Sequence, residues 1–323
     1  MARDVKFLNV SDSLKDRLGD WSDRWFKIRG RHPFFFLHAG QEEINERTVE
    51  LIKKYLPLIK DLPIDVIIHS PGGEMRASFK SAIIFQSSCE YVAVVPLFAK
   101  SGATLFSLGG TEIILGKWAE LGPLDPQVTS FQTERKYWRE TETALESFHA
   151  ARYAQKEVIQ QFNAFIDFLI EIGLSGKSSI QDAIKLTEAT IGKIYSNVSS
   201  FELGSSGRIL DVMEQYCLRV IQKSYSKVSA RQRKKISTHL VWEYPTHDYF
   251  IDCEEARKVG LHVNEATQDI QSLLDELNDC YGKQSCWGIA LPEPKTQGTN
   301  GGTKNVTEAE KVLQEVSGDG NGK

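Results

Sequence analysis

Residues 91–104, YVAVVPLFAKSGAT, run from an apolar stretch through Pro96 to Ser101 and Gly102, where a helix-like segment begins. The same order occurs upstream, where residues 64–73, IDVIIHSPGG, set an apolar run directly before a proline and two glycines. Short apolar runs closed by turn residues are the signature of buried strands. Each stretch therefore predicts a strand, a tight turn and a helix N-terminus.

Outward from these two, residues 33–38 (PFFFLH) predict a strand, and 43–60 a helix with Ile44, Leu51, Ile52, Tyr55, Leu56 and Ile59 on one stripe. The segment after Gly73 predicts a helix carrying Phe79, Ala82 and Ile83. A short helix follows Ser101, stopped by Gly109 and Gly110, and TEIILG (111–116) gives another strand. Strands alternating with helices over the first 120 or so residues imply right-handed crossovers and a largely parallel sheet. The middle reads helical over 146–172, with Phe148, Ala151, Val158, Phe162, Phe165 and Leu169 on one stripe, and again over 178–195 and 208–240. Residues 248–263 (DYFIDCEEARKVGLHV) return to strand, helix and a strand-like end. Residues 293–323 are rich in Gly, Asn and charge and are expected to form a flexible tail.

Composition narrows the function classes. A chain of 323 residues with 41% hydrophobic and 25% charged residues has the balance of a soluble globular protein. A net charge of -4 gives no broad basic field for nucleic acid, and the local run Arg231 to Lys235 fits a solvated helix face. The five cysteines are scattered and never form a CxxC pair, so neither a disulfide framework nor a zinc site is expected and a reducing, cytoplasmic location is. No run of about 18 apolar residues occurs, so no membrane span is expected.

In a parallel sheet both glycine turns fall at the carboxyl ends of strands, where α/β folds place their sites. Gly72 and Gly73 would let backbone N–H groups approach a ligand, and the first turn of a helix leaves N–H donors without internal partners. Ser101 has two readings. Serine is a favoured N-cap, and equally a hydroxyl at a helix start is well placed for nucleophilic attack. The recurrence of the same design one helix and one strand earlier favours the second.

These residues resemble a known family. IIHSPGG, Ser101 placed 28 residues after Gly73, and TEIILGKWAELGPLDPQ (111–127) are similar to the Clp protease and crotonase-like fold, and within it to the serine dehydrogenase proteinases, relatives of signal peptide peptidase A. HDYFIDCEEARKVGLHV (247–263) resembles a late signature of that family, and the likeness runs from about residue 33 to 265. It implies an α/β fold of stacked βαβ units with a helical second half. Residues 1–32 would be an N-terminal extension and 33–285 a serine peptidase domain. It further implies that Ser101 attacks a peptide carbonyl, that Gly73 and Gly102 form the oxyanion hole, and that the chain assembles as a homo-oligomer, a trimer or ring. The substrate would be a peptide or unfolded protein, and the hydrolysis needs no metal or organic cofactor.

A serine hydroxyl needs a base within hydrogen-bond reach. The neighbourhood where Clp proteases carry a histidine is here LGPLDPQ, without one. Signal peptide peptidase relatives use a lysine, which is a base at neutral pH only where burial or neighbouring cations lower its pKa. Lys156, in YAQKEVIQQF, matches the family's basic helix position and is preferred. Lys136 sits in a charge cluster with Glu134, Arg135 and Arg139. His247 is the other contender for base or substrate contact, His69 is expected to hold the turn, and Asp125 to orient a base or begin a turn at Pro126. The family usually shows Ser-Ala-Gly-Thr, whereas this chain has Ser101-Gly102-Ala103-Thr104 with Lys100 before it, where the family favours an apolar or small residue. That lysine would depress the Ser101 pKa, read an acidic substrate, or mark altered chemistry. The alternatives to a peptidase are a catalytically inactive peptide-binding module of the same fold and a crotonase-like acyl-CoA enzyme.

Overall fold

The computed structural model describes residues 3–8, 10–40, 42–128, 142–174, 176–195, 200–281 and 283–292. They group into two compact units, one running to Leu124 and resuming at Glu214, the other from Asp125 to Met213.

The first unit opens with β1 (Arg3–Leu8), α1 (Asp12–Arg29), β2 (His32–Leu37), α2 (Glu46–Ile59), β3 (Ile64–His69), α3 (Met75–Ser88) and β4 (Tyr91–Val95). It continues through β5 (Phe98–Ala99), α4 (Gly102–Ser107), β6 (Ile113–Leu115) and β7 (Glu120–Leu121). The second unit holds β8 (Gln127–Val128), β9 (Glu142–Thr143), α5 (Ala144–Glu171) and α6 (Lys177–Tyr195). The chain passes back along α7 (Ser200–Ser224), then α8 (Ala230–Thr238), a π-helical turn at His239–Glu243, α9 (Cys253–Val259), β10 (Val263–Glu265), α10 (Gln268–Glu276) and β11 (Cys286–Pro292).

Seven strands form one sheet in the order β1-β11-β2-β3-β4-β6-β10. From β2 to β10 all pairs are parallel, and only β11 runs antiparallel to its two neighbours. All six residues of β3 are buried, as expected of a strand covered on both faces. Alternation along β2 divides the core. Phe34 and Phe36 meet Tyr55, Phe85 and Phe106 from α2, α3 and α4, whereas Phe35 and Leu37 join Trp21, Trp25, Ile270 and Leu274 from α1 and α10. The α2 start is fixed by a reciprocal cap in which Asn45 Oδ1 accepts from the Thr48 N–H and Thr48 Oγ1 from the Asn45 N–H, each at 3.2 Å.

The N-terminal residues are not an appendage. Trp25 is fully buried, its Nε1 donates to Asp65 at 3.0 Å, and Arg29 and Arg31 bind the same carboxylate at 2.9 and 2.6 Å. Strand β1 extends the main sheet through β11. The helical stretch expected over 208–240 is two helices, separated where Ser229 caps α8 by accepting from the Gln232 N–H at 3.2 Å. The expected tail at 293–323 lies outside the described residues.

Candidate active site

Beyond the end of β3, the chain at Ser70 bridges in parallel to Ala99: the Ser70 N–H donates to the Phe98 carbonyl at 3.2 Å and the Lys100 N–H to the Ser70 carbonyl at 3.0 Å. This brings the two glycine turns side by side. Gly72 and Gly73 have φ of +104° and +141°, values that favour glycine. A Cβ on Gly72 would lie 2.6 Å from the Lys100 carbonyl oxygen, 3.0 Å from the Gly102 nitrogen and 3.1 Å from the Ser101 Cβ. A Cβ on Gly73 would collide with the backbone of Ile44. That residue clamps the turn: its N–H donates to the Gly72 carbonyl at 2.6 Å and its carbonyl accepts from the Glu74 N–H at 2.8 Å. The N–H groups of Gly73 and Gly102 make no hydrogen bond among the described residues.

Ser101 has φ +47° and ψ -115° and is 8% exposed. An N-cap serine has extended backbone and accepts a bond from the helix it starts. Ser101 does neither, since its side chain makes no cap hydrogen bond. Positive φ in a residue with a Cβ costs on the order of 1–3 kcal/mol and persists only where the surroundings impose it. Here the Lys100 N–H is tied to Ser70, the Ala103 N–H donates to the Lys100 carbonyl at 2.8 Å, and the Leu105 N–H to the Ser101 carbonyl at 3.1 Å. Thr104 is buried and locks the helix from the other side, donating to the Ala99 carbonyl at 2.6 Å and accepting from the Gly122 N–H at 3.1 Å.

Lys100 turns to Glu120, with Nζ 2.8 Å from Oε1 and both side chains 21% exposed. Gly122 admits it, since a Cβ there would lie 2.9 Å from the Lys100 Cδ. The turn at Gly72 is held by His38 rather than by His69. The Gly72 N–H donates to Ser70 Oγ at 3.1 Å, and Ser70 Oγ lies 2.8 Å from His38 Nδ1. Burial, with His69 nearby, pushes the His38 pKa down to about 4. Burial does the same to His69, whose ring packs on Phe98 and Tyr281 with centroids 4.1 and 4.9 Å away.

The candidate bases fall in different parts of the chain. Lys156 is exposed on α5 in the second unit. Lys136 lies outside the described residues. His247 belongs to the first unit and is half-buried, and its Nδ1 has no partner among the described residues. It precedes Ile251, which pairs with Leu121 through two hydrogen bonds of 2.9 and 3.2 Å. Asp125 is fully buried where the second unit begins. Sequence reasoning missed His38, Ser70 and Glu120. The only signal was the Ser-x-Gly spacing, in which a serine hydroxyl binds the N–H two residues on.

No cluster of three His, Cys, Asp or Glu side chains among the described residues is placed to hold a metal ion. No helix among them is long and apolar enough to cross a membrane.

Residues 43–190 match the family model of the ClpP-like SDH-type serine proteinases. Two uncharacterized proteins of Methanocaldococcus jannaschii are similar. One is 30% identical over 149 residues, 45% of this chain and 51% of the relative; the other is 24% identical over 232 residues, 71% and 64%. The chain thus spans about half to two thirds of the length of these curated relatives. Among solved structures, a membrane-bound stomatin-specific protease is similar with 14% identity and a TM-score of 0.40, covering 77% of this chain and 85% of that one.

Proposed function

We propose that the chain is a serine endopeptidase with Ser101 as nucleophile, the N–H groups of Gly73 and Gly102 as oxyanion donors, and Lys156 as base. The observation that carries this is the backbone of Ser101: a buried serine at φ +47°, not used as a cap and pressed against the Gly72-Gly73 turn, beside the N–H groups of Gly73 and Gly102, which make no hydrogen bond among the described residues. Strain of that kind collects where chemistry is done.

In the proposed reaction Ser101 Oγ attacks the peptide carbonyl carbon and passes its proton to the base. The carbonyl oxygen becomes an oxyanion facing the two N–H groups, each worth about 2.7–4 kcal/mol in acyl transfer. The C–N bond then breaks, the base returns the proton to the leaving amine, and water hydrolyses the acyl-enzyme ester by the same route. Lys156 is supported by the family resemblance alone. His247 is the second candidate, favoured by a buried, unpartnered Nδ1 in the same unit as Ser101.

An exposed lysine turns into a base at neutral pH only where its surroundings become drier. We place the chain in a homo-oligomer for that reason, and because Ile159, Phe168, Ile170, Ile180 and Ile184 on α5 and α6 are each about half-exposed. Monomodal small-angle scattering at the mass of a single chain, at micromolar concentration, would refute the assembly.

Labelling by a fluorophosphonate tests the reaction. Wild type is expected to label and Ser101→Ala to be silent. Equal labelling of the two overturns the assignment, and a wild type that never labels leaves a peptide-binding module. Loss of labelling in Lys156→Ala identifies the lysine; loss in His247→Ala alone identifies the histidine.

A further inference from the structure

The geometry points to His38 as a positioning residue for this site, acting through Ser70 on the Gly72-Gly73 turn; the inference rests on the peptidase function proposed above. The connection is a short chain of contacts. His38 Nδ1 lies 2.8 Å from Ser70 Oγ, Ser70 Oγ accepts the Gly72 N–H at 3.1 Å, and the Gly72 carbonyl accepts the Ile44 N–H at 2.6 Å. The next N–H along the chain is that of Gly73, the proposed oxyanion donor. Ser70 Oγ accepts from Gly72 and has no acceptor for its own proton among the described residues other than His38 Nδ1, so it donates to a neutral imidazole there, which puts the ring proton on Nε2. Burial keeps the imidazole neutral at pH 7, so Nδ1 stays available as an acceptor.

Two features separate this arrangement from ordinary core packing. His38 is 2% exposed, yet its Nε2 has no partner among the described residues. Leaving a buried polar atom unsatisfied costs about 1–3 kcal/mol, which an apolar side chain in the same place would avoid. A histidine stands there regardless, and the one polar contact its side chain makes among the described residues is to Ser70. In addition the ring packs against Phe36 and Trp287, at centroid distances of 4.9 and 5.6 Å. Packing on these two rings orients the imidazole toward the Ser70 hydroxyl, and through it the Gly72 amide.

The closing experiment compares His38→Leu, His38→Asn and Ser70→Ala with wild type. Asparagine can place its side-chain oxygen near the Nδ1 position and leucine cannot. The readouts are peptidase kcat and KM, the rate of Ser101 labelling by a fluorophosphonate, and hydrogen exchange at the Gly72 and Gly73 amides. His38→Leu and Ser70→Ala are expected to lose about 10²-fold in kcat and in labelling rate, the scale of a misplaced catalytic group, with KM little changed. Their Gly72 amide exchanges faster, and His38→Asn recovers most of both. The His38→Leu/Ser70→Ala double variant loses no more than either single one, because the two act as one unit. Unchanged kcat with unchanged amide exchange in His38→Leu overturns the inference, as does a failure of His38→Asn to exceed His38→Leu. The amide readout needs no activity. Faster exchange in a protein whose wild type never labels would sink the peptidase function while leaving the positioning of the turn intact.

Discussion

Lys100 Nζ stands 2.8 Å from Glu120 Oε1, so the charge beside Ser101 is answered from within the chain, by the residue that opens β7. Lys100 is therefore not free to read an acidic substrate while the pair is closed. A double-mutant cycle of Lys100→Met and Glu120→Gln is expected to give a coupling of about 1 kcal/mol by urea denaturation, near the upper end for partly exposed pairs and smaller at high salt. Glu120→Gln alone would leave the cation unmatched, and its labelling rate would then show a salt dependence that wild type lacks.

Ser101→Gly is expected to be more stable than Ser101→Ala by about 1 kcal/mol. Both lack the hydroxyl, and only glycine relieves the φ of +47°. Thermal unfolding of the pair at one pH measures the strain directly. Equal stabilities would mean that no strain is stored there.

Gly72→Ala meets backbone rather than flexible side chains, 2.6 Å from the Lys100 carbonyl oxygen and 3.0 Å from the Gly102 nitrogen. A loss of about 1–3 kcal/mol is expected from overpacking, together with loss of labelling, because relief requires the two turns to part. A stable, fully labelled Gly72→Ala protein would contradict this.

Stability should fall on acidification through a definite window. His38 and His69 are held near pKa 4 in the fold against 6.5 for the free side chain. Between those values the unfolded chain binds the extra protons, so their full contribution is present above about pH 6.5 and is lost as pH drops toward 4. Each histidine accounts for up to about 3 kcal/mol. Denaturation midpoints measured from pH 7.5 to 4.5 should show this slope, and the double variant His38→Asn/His69→Gln should flatten it.

Asp65→Ala removes the common acceptor of Trp25, Arg29 and Arg31. Because Asp65 is fully buried, about 3 kcal/mol of stability should go with it, and α1 should become the first segment cleaved in limited proteolysis.

The alternation of β2 through β6 was legible because parallel strands buried on both faces write themselves as apolar runs such as IDVIIH. The turns were legible through Pro71, Gly72 and Gly73. By contrast α1 spends its helix on Asp, Lys and Arg and shows the core only at Leu18, Trp21 and Trp25, a stripe too thin to stand out. Strand β11 was obscured by Gly288 and by Pro292 at its end. The backbone of Ser101 could not be read at all, since serine caps and strained serines share one letter. The contact between Lys100 and Glu120 was hidden for a different reason: it depends on β5 and β7 lying in parallel, which no local pattern announces.

The place of β11 has a consequence for how the chain is made. It lies between β2 and β1, pairing Arg3 with Pro292 at the far edge and Cys286 with Leu37 at the near one. During synthesis β1 emerges first and finds no sheet to join, because its only neighbour is the last strand of the described chain. The parallel strands β2 to β6 can associate early, whereas closure of the β1 edge waits for a contact across nearly the whole sequence, the kind that slows folding most. Until the ribosome has delivered residues 286–289, the outer edge of β2 stays open, and that nascent edge is where a chaperone or a neighbouring chain would take hold.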